Sequence, residues 1–282
     1  MKTFEFNLSV KELEKRTNKE YLTTKKFLTQ NSPEYIALKD GDKQALIHLV
    51  KAASIIERIN MQLDCKHNLD FKLFLEEEIK KGNKQAELTK ILFDAQKGIN
   101  AIDSLSNKIN LAKDIKETPG KGVYPEDLFK DEFHAILIKM IKDGEIKEVK
   151  NILTQRSVVV RDGNKLKGID YIDYFKEDFS AIAIELEKAS VVLTNEVLNK
   201  YLKLQAKALK VADPMLDAYA DKQWATLQYT PLEFTITREN YEDELTGTVF
   251  ENKELANILK EYNISPVPKD FLGGRVGIVN EE

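Results

Sequence analysis

Leu46, Leu49, Val50, Ala53, Ile56, Ile59 and Leu63 recur at steps of three and four residues. That period puts them on one stripe of a long α-helix, and such a stripe must be buried against other elements. A second run, Leu88, Ile91, Leu92, Ala95, Ile99, Ile102 and Ile109, predicts another long helix over 84–110, with a break near Gly98. Twelve glycines and seven prolines in 282 residues leave little room for tight turns, which suits long helices. The expected fold class is mainly α with a small mixed β component (α+β).

Shorter signals fill in the chain. Ser9-Val10-Lys11-Glu12 has capping-box spacing and predicts a helix running to about Phe27. Asp42 is expected to cap the central helix, and Gly82 to close a helix over 70–81. Pro119, Gly120 and Gly122 mark 115–125 as a loop, with Pro125 in the first turn of a helix to Ile141. The β-branched run Ser157–Arg161, a turn at Asp162-Gly163-Asn164 and a return strand over 165–172 predict a hairpin. Helices are expected over 174–193, over 194–209 with Thr194 as cap, over 214–227 and over 251–262. Strands are expected at 232–238 and 275–279. Gly273-Gly274-Arg275 reads as a bend before the last strand, or as a loop able to approach an anion. The loop at 115–125 is the best boundary, which divides the chain into a helical region, 1–118, and a mixed region, 119–282.

Charge and hydropathy exclude some roles. A net charge of -4 predicts no basic surface for nucleic acid. No stretch approaches the ~18–20 apolar residues that span a bilayer. The opening MKTFEFNLSVKELEKR has no apolar run of the signal-peptide kind, so the chain reads as cytoplasmic. A lone cysteine, Cys65, cannot form an intrachain disulfide.

The residues alone carry little catalytic chemistry. None of His48, His67 and His134 sits in a His-Glu-x-x-His motif. Cys65 and His67 are two metal ligands without the second pair that a structural zinc site takes. The plainer reading is a helix-terminal cysteine and a solvated histidine. Glu132 and His134 share a predicted helix as a surface carboxylate and a part-buried imidazole, with no identifiable catalytic partner. Glu76-Glu77-Glu78 is a solvated helix face. No phosphate-binding glycine loop and no nucleophile elbow is present. On these grounds no metal site is assigned.

Four segments in order resemble a known family. They are Gly122-Val123-Tyr124-Pro125-Glu126-Asp127, the hairpin SVVVRDGNKLKGIDY, the helix end Asp221-Lys222-Gln223-Trp224, and PLEFTITRENYEDELTG. Together they are similar to the upstream half of the dipeptidyl-peptidase III family of zinc peptidases, over about 120–282. The sharpest element is a Glu-x-Tyr-x-Asp pattern at the end of a strand, here Glu239-Asn240-Tyr241-Glu242-Asp243, with Gly247 beyond.

The resemblance implies a helical lobe plus part of a lobe that contains a β-barrel, with a cleft between. It implies that Glu239 binds the free amino terminus of a peptide substrate, and that Tyr241 donates to the carbonyl oxygen as charge develops there. The family's zinc motifs, His-Glu-x-x-Gly-His and a later Glu-Glu-x-x-Ala-Asp/Glu, follow the matched region and do not occur in this sequence. The expectation is therefore an N-terminal, non-zinc-binding part of such a peptidase, inactive alone. It would hold no cofactor itself, and would partner peptides and the zinc-binding lobe. The alternative is a complete, non-catalytic helical protein that binds peptides or another protein.

Overall fold

A computed structural model describes residues 2–22, 28–211, 213–240 and 243–279. In chain order the elements are α1 (Val10–Arg16), α2 (Lys19–Leu22), α3 (Pro33–Ile36), α4 (Asp40–Asp64), α5 (Asn68–Lys80), α6 (Lys84–Gln96), β1 (Asn100–Ile102) and β2 (Lys108–Asn110). There follow α7 (Lys130–Lys142), α8 (Ile146–Ile152), β3 (Ser157–Asp162), β4 (Lys165–Asp170), α9 (Tyr171–Tyr174), α10 (Lys176–Val192), α11 (Glu196–Ala208) and α12 (Pro214–Ala225). The chain continues with β5 (Leu232–Glu239), α13 (Glu244–Gly247), α14 (Lys253–Glu261) and β6 (Phe271–Ile278). The fold is mainly helical with a small β component. Its strands form three separate antiparallel pairs, and among the described residues none closes into a barrel.

Two compact units divide the chain: residues 1–27 with 61–129, and residues 28–60 with 130–282. The first has an aromatic core. Phe71 and Phe93 are fully buried, and Phe4 meets Phe71 edge-on with ring centroids 5.2 Å apart. The capping box at Ser9 and Glu12 is formed in both directions. The helix it starts ends at Thr17, whose hydroxyl donates back to Leu13 O at 2.8 Å. One helix to Phe27 is thus replaced by two short ones up to Leu22, and residues 23–27 lie outside the described residues.

The expected helix over 84–110 also stops early. Lys97 turns left-handed at φ 59, and β1 and β2 form a hairpin with Ala101 opposite Ile109. The turn is built on Asp103, whose Oδ1 accepts from the N–H groups of Leu105 (2.9 Å) and Asn107 (2.8 Å). The aliphatic spacing suits a helix or a strand, and the aspartate's turn chemistry decides between them. The helix expected at Pro125 begins at Lys130 instead.

The second unit is built on α4. Leu49, Ile56 and Ile59 of the sequence stripe are buried, while Val50 is half exposed. The helix starts at Asp40. Asp42 does not cap it but is buried, accepting from Thr194 N (3.2 Å) and Thr194 Oγ1 (3.1 Å). With Thr194 so engaged, Asn195 caps α11 through Leu198 N at 2.9 Å.

The hairpin β3–β4 pairs from Ser157 opposite Asp170 to Asp162 opposite Lys165, with Gly163 at φ 59 in the turn. Strands β5 and β6 pair along eight residues, from Leu232 opposite Ile278 to Glu239 opposite Phe271. Gly273 and Gly274 lie inside β6 and make no bend. A Cβ on Gly274 would come within 3.0 Å of Ala53 Cα and 3.1 Å of Ala53 Cβ, so the glycine lets β6 lie directly on α4.

Candidate functional site

Residues of a strand alternate between its faces, and β5 keeps to this. Leu232, Phe234 and Ile236 are buried, whereas Glu233 and Glu239 are exposed. Glu239 ends the strand opposite the buried Phe271. The chain is held again four residues later. Asp243 is buried and caps α13, accepting from Thr246 N (3.0 Å), the Thr246 hydroxyl and Lys269 N (3.1 Å). Glu239 and Asp243 are thus each held by the fold. Tyr241, the other site residue singled out by the sequence, lies outside the described residues, as does Glu242.

The opposite side of β5 carries a charged row. Arg238 Nη2 donates to Asp217 Oδ1 at 3.1 Å, and its Nη1 lies 3.6 Å from Asp221 Oδ2. Arg156 Nη1 donates to Asp217, and its Nε donates to Asp270 Oδ2 at 3.3 Å. Burial pushes the Arg156 guanidinium below its usual range, and the neighbouring Arg238 pushes the same way. Burial raises the Asp270 carboxyl against the pull of Arg156. These residues come from four separate chain segments. Asp221 stood in a segment that carries the resemblance and Arg238 at the end of the strand expected at 232–238, but nothing in the sequence brought the row together.

Beside this row sits Lys269, which is 0 % exposed. Its ammonium donates to Ile152 O (2.5 Å), Thr154 O (2.7 Å) and Ser157 Oγ (2.7 Å), which matches three N–H bonds to three oxygens. Burial pushes its pKa down to about 7, against the opposing charges of Asp243 and Asp270. A lysine well before the strand expected at 275–279 gave no hint of this in the sequence.

The other residues considered in the sequence lie as follows. His134 is buried and donates from Nε2 to Thr248 Oγ1 at 2.9 Å, since that hydroxyl itself donates to Leu245 O at 2.7 Å. Burial, and then Lys130, hold its pKa below the usual imidazole range. Glu132 forms a two-pronged pair with Arg161, at 2.6 and 2.9 Å. The Cys65 thiol is buried, which pushes its pKa up to about 11. His67 sits between Lys2 Nζ (2.8 Å) and Glu126 Oε1 (2.9 Å). Among the described residues no three His, Cys, Asp or Glu side chains are grouped to hold a metal ion. No helix among them is long and apolar enough to cross a membrane.

No family model and no curated protein matches the chain in sequence. Two solved structures match it in fold. DPP III from Caldithrix abyssi superposes with a TM-score of 0.67 at 22% identity, covering 86% of this chain and 40% of that one. Dipeptidyl-peptidase III from Corallococcus sp. strain EGB superposes with a TM-score of 0.72 at 16% identity, covering 99% of this chain and 45% of that one. The fold is thus dipeptidyl-peptidase III-like, and the chain spans less than half the length of either structure it matches.

Proposed function

We propose that this chain is the peptide-binding, non-zinc-binding part of a dipeptidyl-peptidase III-like protein, and that Glu239 receives the ammonium group of a peptide's amino terminus. The observation that carries this reading is Glu239 itself. It is an exposed carboxylate at the end of a paired strand. A backbone held in place before binding leaves less ordering cost to meet when the peptide arrives. A carboxylate facing an ammonium group forms a charge-assisted pair, stronger than a neutral hydrogen bond. In this reading Tyr241, two residues on, donates its hydroxyl to a peptide carbonyl. The wall so formed binds and orients the substrate, and no hydrolytic step is assigned to the described residues. Peptides and a zinc-binding lobe are the proposed partners.

Calorimetric titration with tetra-alanine tests the proposal. The free peptide should bind. Glu239→Gln should weaken binding about 10- to 100-fold, the size of one lost charge-assisted contact. Acetylating the peptide's amino terminus should weaken it as much. Equal affinity for free and acetylated peptide would remove the role given to Glu239. If the protein also releases dipeptides, Tyr241→Phe should lower kcat about 10- to 1,000-fold, the range for one oxyanion donor. Binding with no release, with and without added zinc, would favour the alternative of a peptide-binding protein that does not hydrolyse.

A further inference from the structure

Behind the charged row of the second unit lies a cavity of about 320 Å³. Its floor is apolar, formed by the buried Ile56, Phe179, Ile182, Ile236 and Leu272. Its charges are unbalanced. Four carboxylates line it, Asp170, Asp213, Asp217 and Asp221, against two guanidinium groups, Arg156 and Arg238. Asp213 is exposed and the Asp221 side chain is 62% accessible, so negative charge lies where the cavity meets solvent. A volume near 300 Å³, apolar walls and a few convergent polar groups are the usual attributes of a small-molecule site.

The ion pairs leave that imbalance standing. The row runs Asp221, Arg238, Asp217, Arg156, Asp270, with a carboxylate at each end. Both arginines are thus spent on carboxylates of the row. The two remaining lining carboxylates meet backbone instead. Asp170 caps α9, accepting from Ile172 N at 2.8 Å, and Asp213 caps α12, accepting from Met215 N at 2.9 Å. A backbone N–H is a dipole and cancels no full charge. Neither carboxylate forms an ion pair among the described residues. A cleft that carries one sign of charge over low-dielectric walls focuses its field and concentrates ligands of the opposite sign. An anion would find both guanidinium groups already paired, and a neutral apolar molecule would leave the excess charge unmet.

We infer that the cavity binds a small organic amine, a primary ammonium group on an apolar body with no acid group. The body fills the apolar floor. The ammonium is drawn to the carboxylates that carry no ion pair, Asp170 and Asp213, and the two arginines keep their partners. The site does not involve Glu239, which is on the opposite face of β5, and the inference does not rest on the peptide-binding reading.

Calorimetric titration of the protein with phenethylamine tests this. Phenethyl alcohol, which keeps the ring and lacks the charge, and phenylpropionate, which reverses the charge, should each bind about ten-fold more weakly or worse. Methylamine, which keeps the charge and lacks the apolar body, should be weaker as well. Asparagine caps a helix about as well as aspartate, so Asp170→Asn combined with Asp213→Asn removes both charges and keeps both caps. The double variant should bind phenethylamine about ten-fold more weakly or worse, at an unfolding temperature close to that of the wild type. Asp213→Asn alone, at an exposed position, should show part of the loss and keeps the test readable if the double variant unfolds. Glu239→Gln should bind phenethylamine like the wild type. The inference is overturned if phenethylamine does not bind at about 10 mM, a level that only trivial affinity would escape. It is also overturned if the alcohol or the acid binds as well as the amine, if the asparagine variants bind like the wild type, or if Glu239→Gln abolishes binding.

Discussion

The two faces of β5 differ in what holds their residues. On one face Phe234 and Ile236 are buried, and Arg238 is tied to Asp217 and Asp221. Every group there is constrained by burial or by an ion pair. On the other face Glu233 and Glu239 are exposed, and Glu239 is positioned by its backbone pairing with β6. The same eight residues thus make a packed wall and an accessible one. A buried charge is retained only with partners, because desolvation is costly. An exposed charge on a fixed strand has no packing duty, which leaves it available to a ligand.

Removing Lys269 should break the buried side most severely. Lys269→Met leaves the carbonyls of Ile152 and Thr154 and the Ser157 hydroxyl without their ammonium donor, beside Asp243 and Asp270. A loss of about 3–5 kcal/mol is expected for a broken buried charge site, read as a lower urea midpoint. A variant as stable as the wild type would show that the ammonium contributes nothing net.

The same lysine gives the buried side a pH signature. Its folded pKa, about 7, lies below its ordinary 10.5, so between those values the unfolded chain binds more protons than the folded one. Stability should therefore rise with pH across that window, by up to about 1.4 kcal/mol per unit, and be flat from this source below it. Urea melts from pH 6 to 9 should show the rise in the wild type, and Lys269→Met should lack it. Identical slopes in both proteins would place the titration elsewhere.

Overpacking the α4 contact comes next. Gly274→Val would drive a branched side chain into Ala53 and Ile56, at an expected cost of about 1–3 kcal/mol. A neutral outcome would mean that β6 can move off α4 without penalty. The smallest effect belongs to the exposed face: Glu239→Gln should change stability by no more than about 0.5 kcal/mol. A larger loss there would make Glu239 a structural residue and erase the contrast between the faces.

How much could be read in advance varied with the kind of signal. The hairpin β3–β4 was legible because a β-branched run meets an Asp-Gly-Asn turn. The hairpin β1–β2 was not, because Ile99, Ile102 and Ile109 read as the continuation of a helical stripe, and only the bonds from Leu105 and Asn107 to Asp103 mark the turn. Thr194 was a reasonable cap on local grounds, but Asp42, distant in sequence, claims it, and Asn195 takes over. Gly273 and Gly274 read as a bend because glycine favours turns. Their reason for being there is Thr237 on one side and Ala53 on the other, neither of which is a sequence neighbour. Of the candidate site, Glu239 was singled out by the resemblance of Glu239-Asn240-Tyr241-Glu242-Asp243 to a family pattern, since the expected strand stopped at residue 238.

By itself the sequence determined the helical class, the buried stripe of α4 and the strand β5. Each follows from local periodicity, which a chain carries in the order of its residues. Only the tertiary structure decided that Arg156, Asp217, Arg238 and Asp270 form one row of charges, that Lys269 is buried on three oxygens, and that a cavity lies behind them. Those facts depend on close packing between segments far apart in the chain, and residue order carries no periodic trace of such contacts.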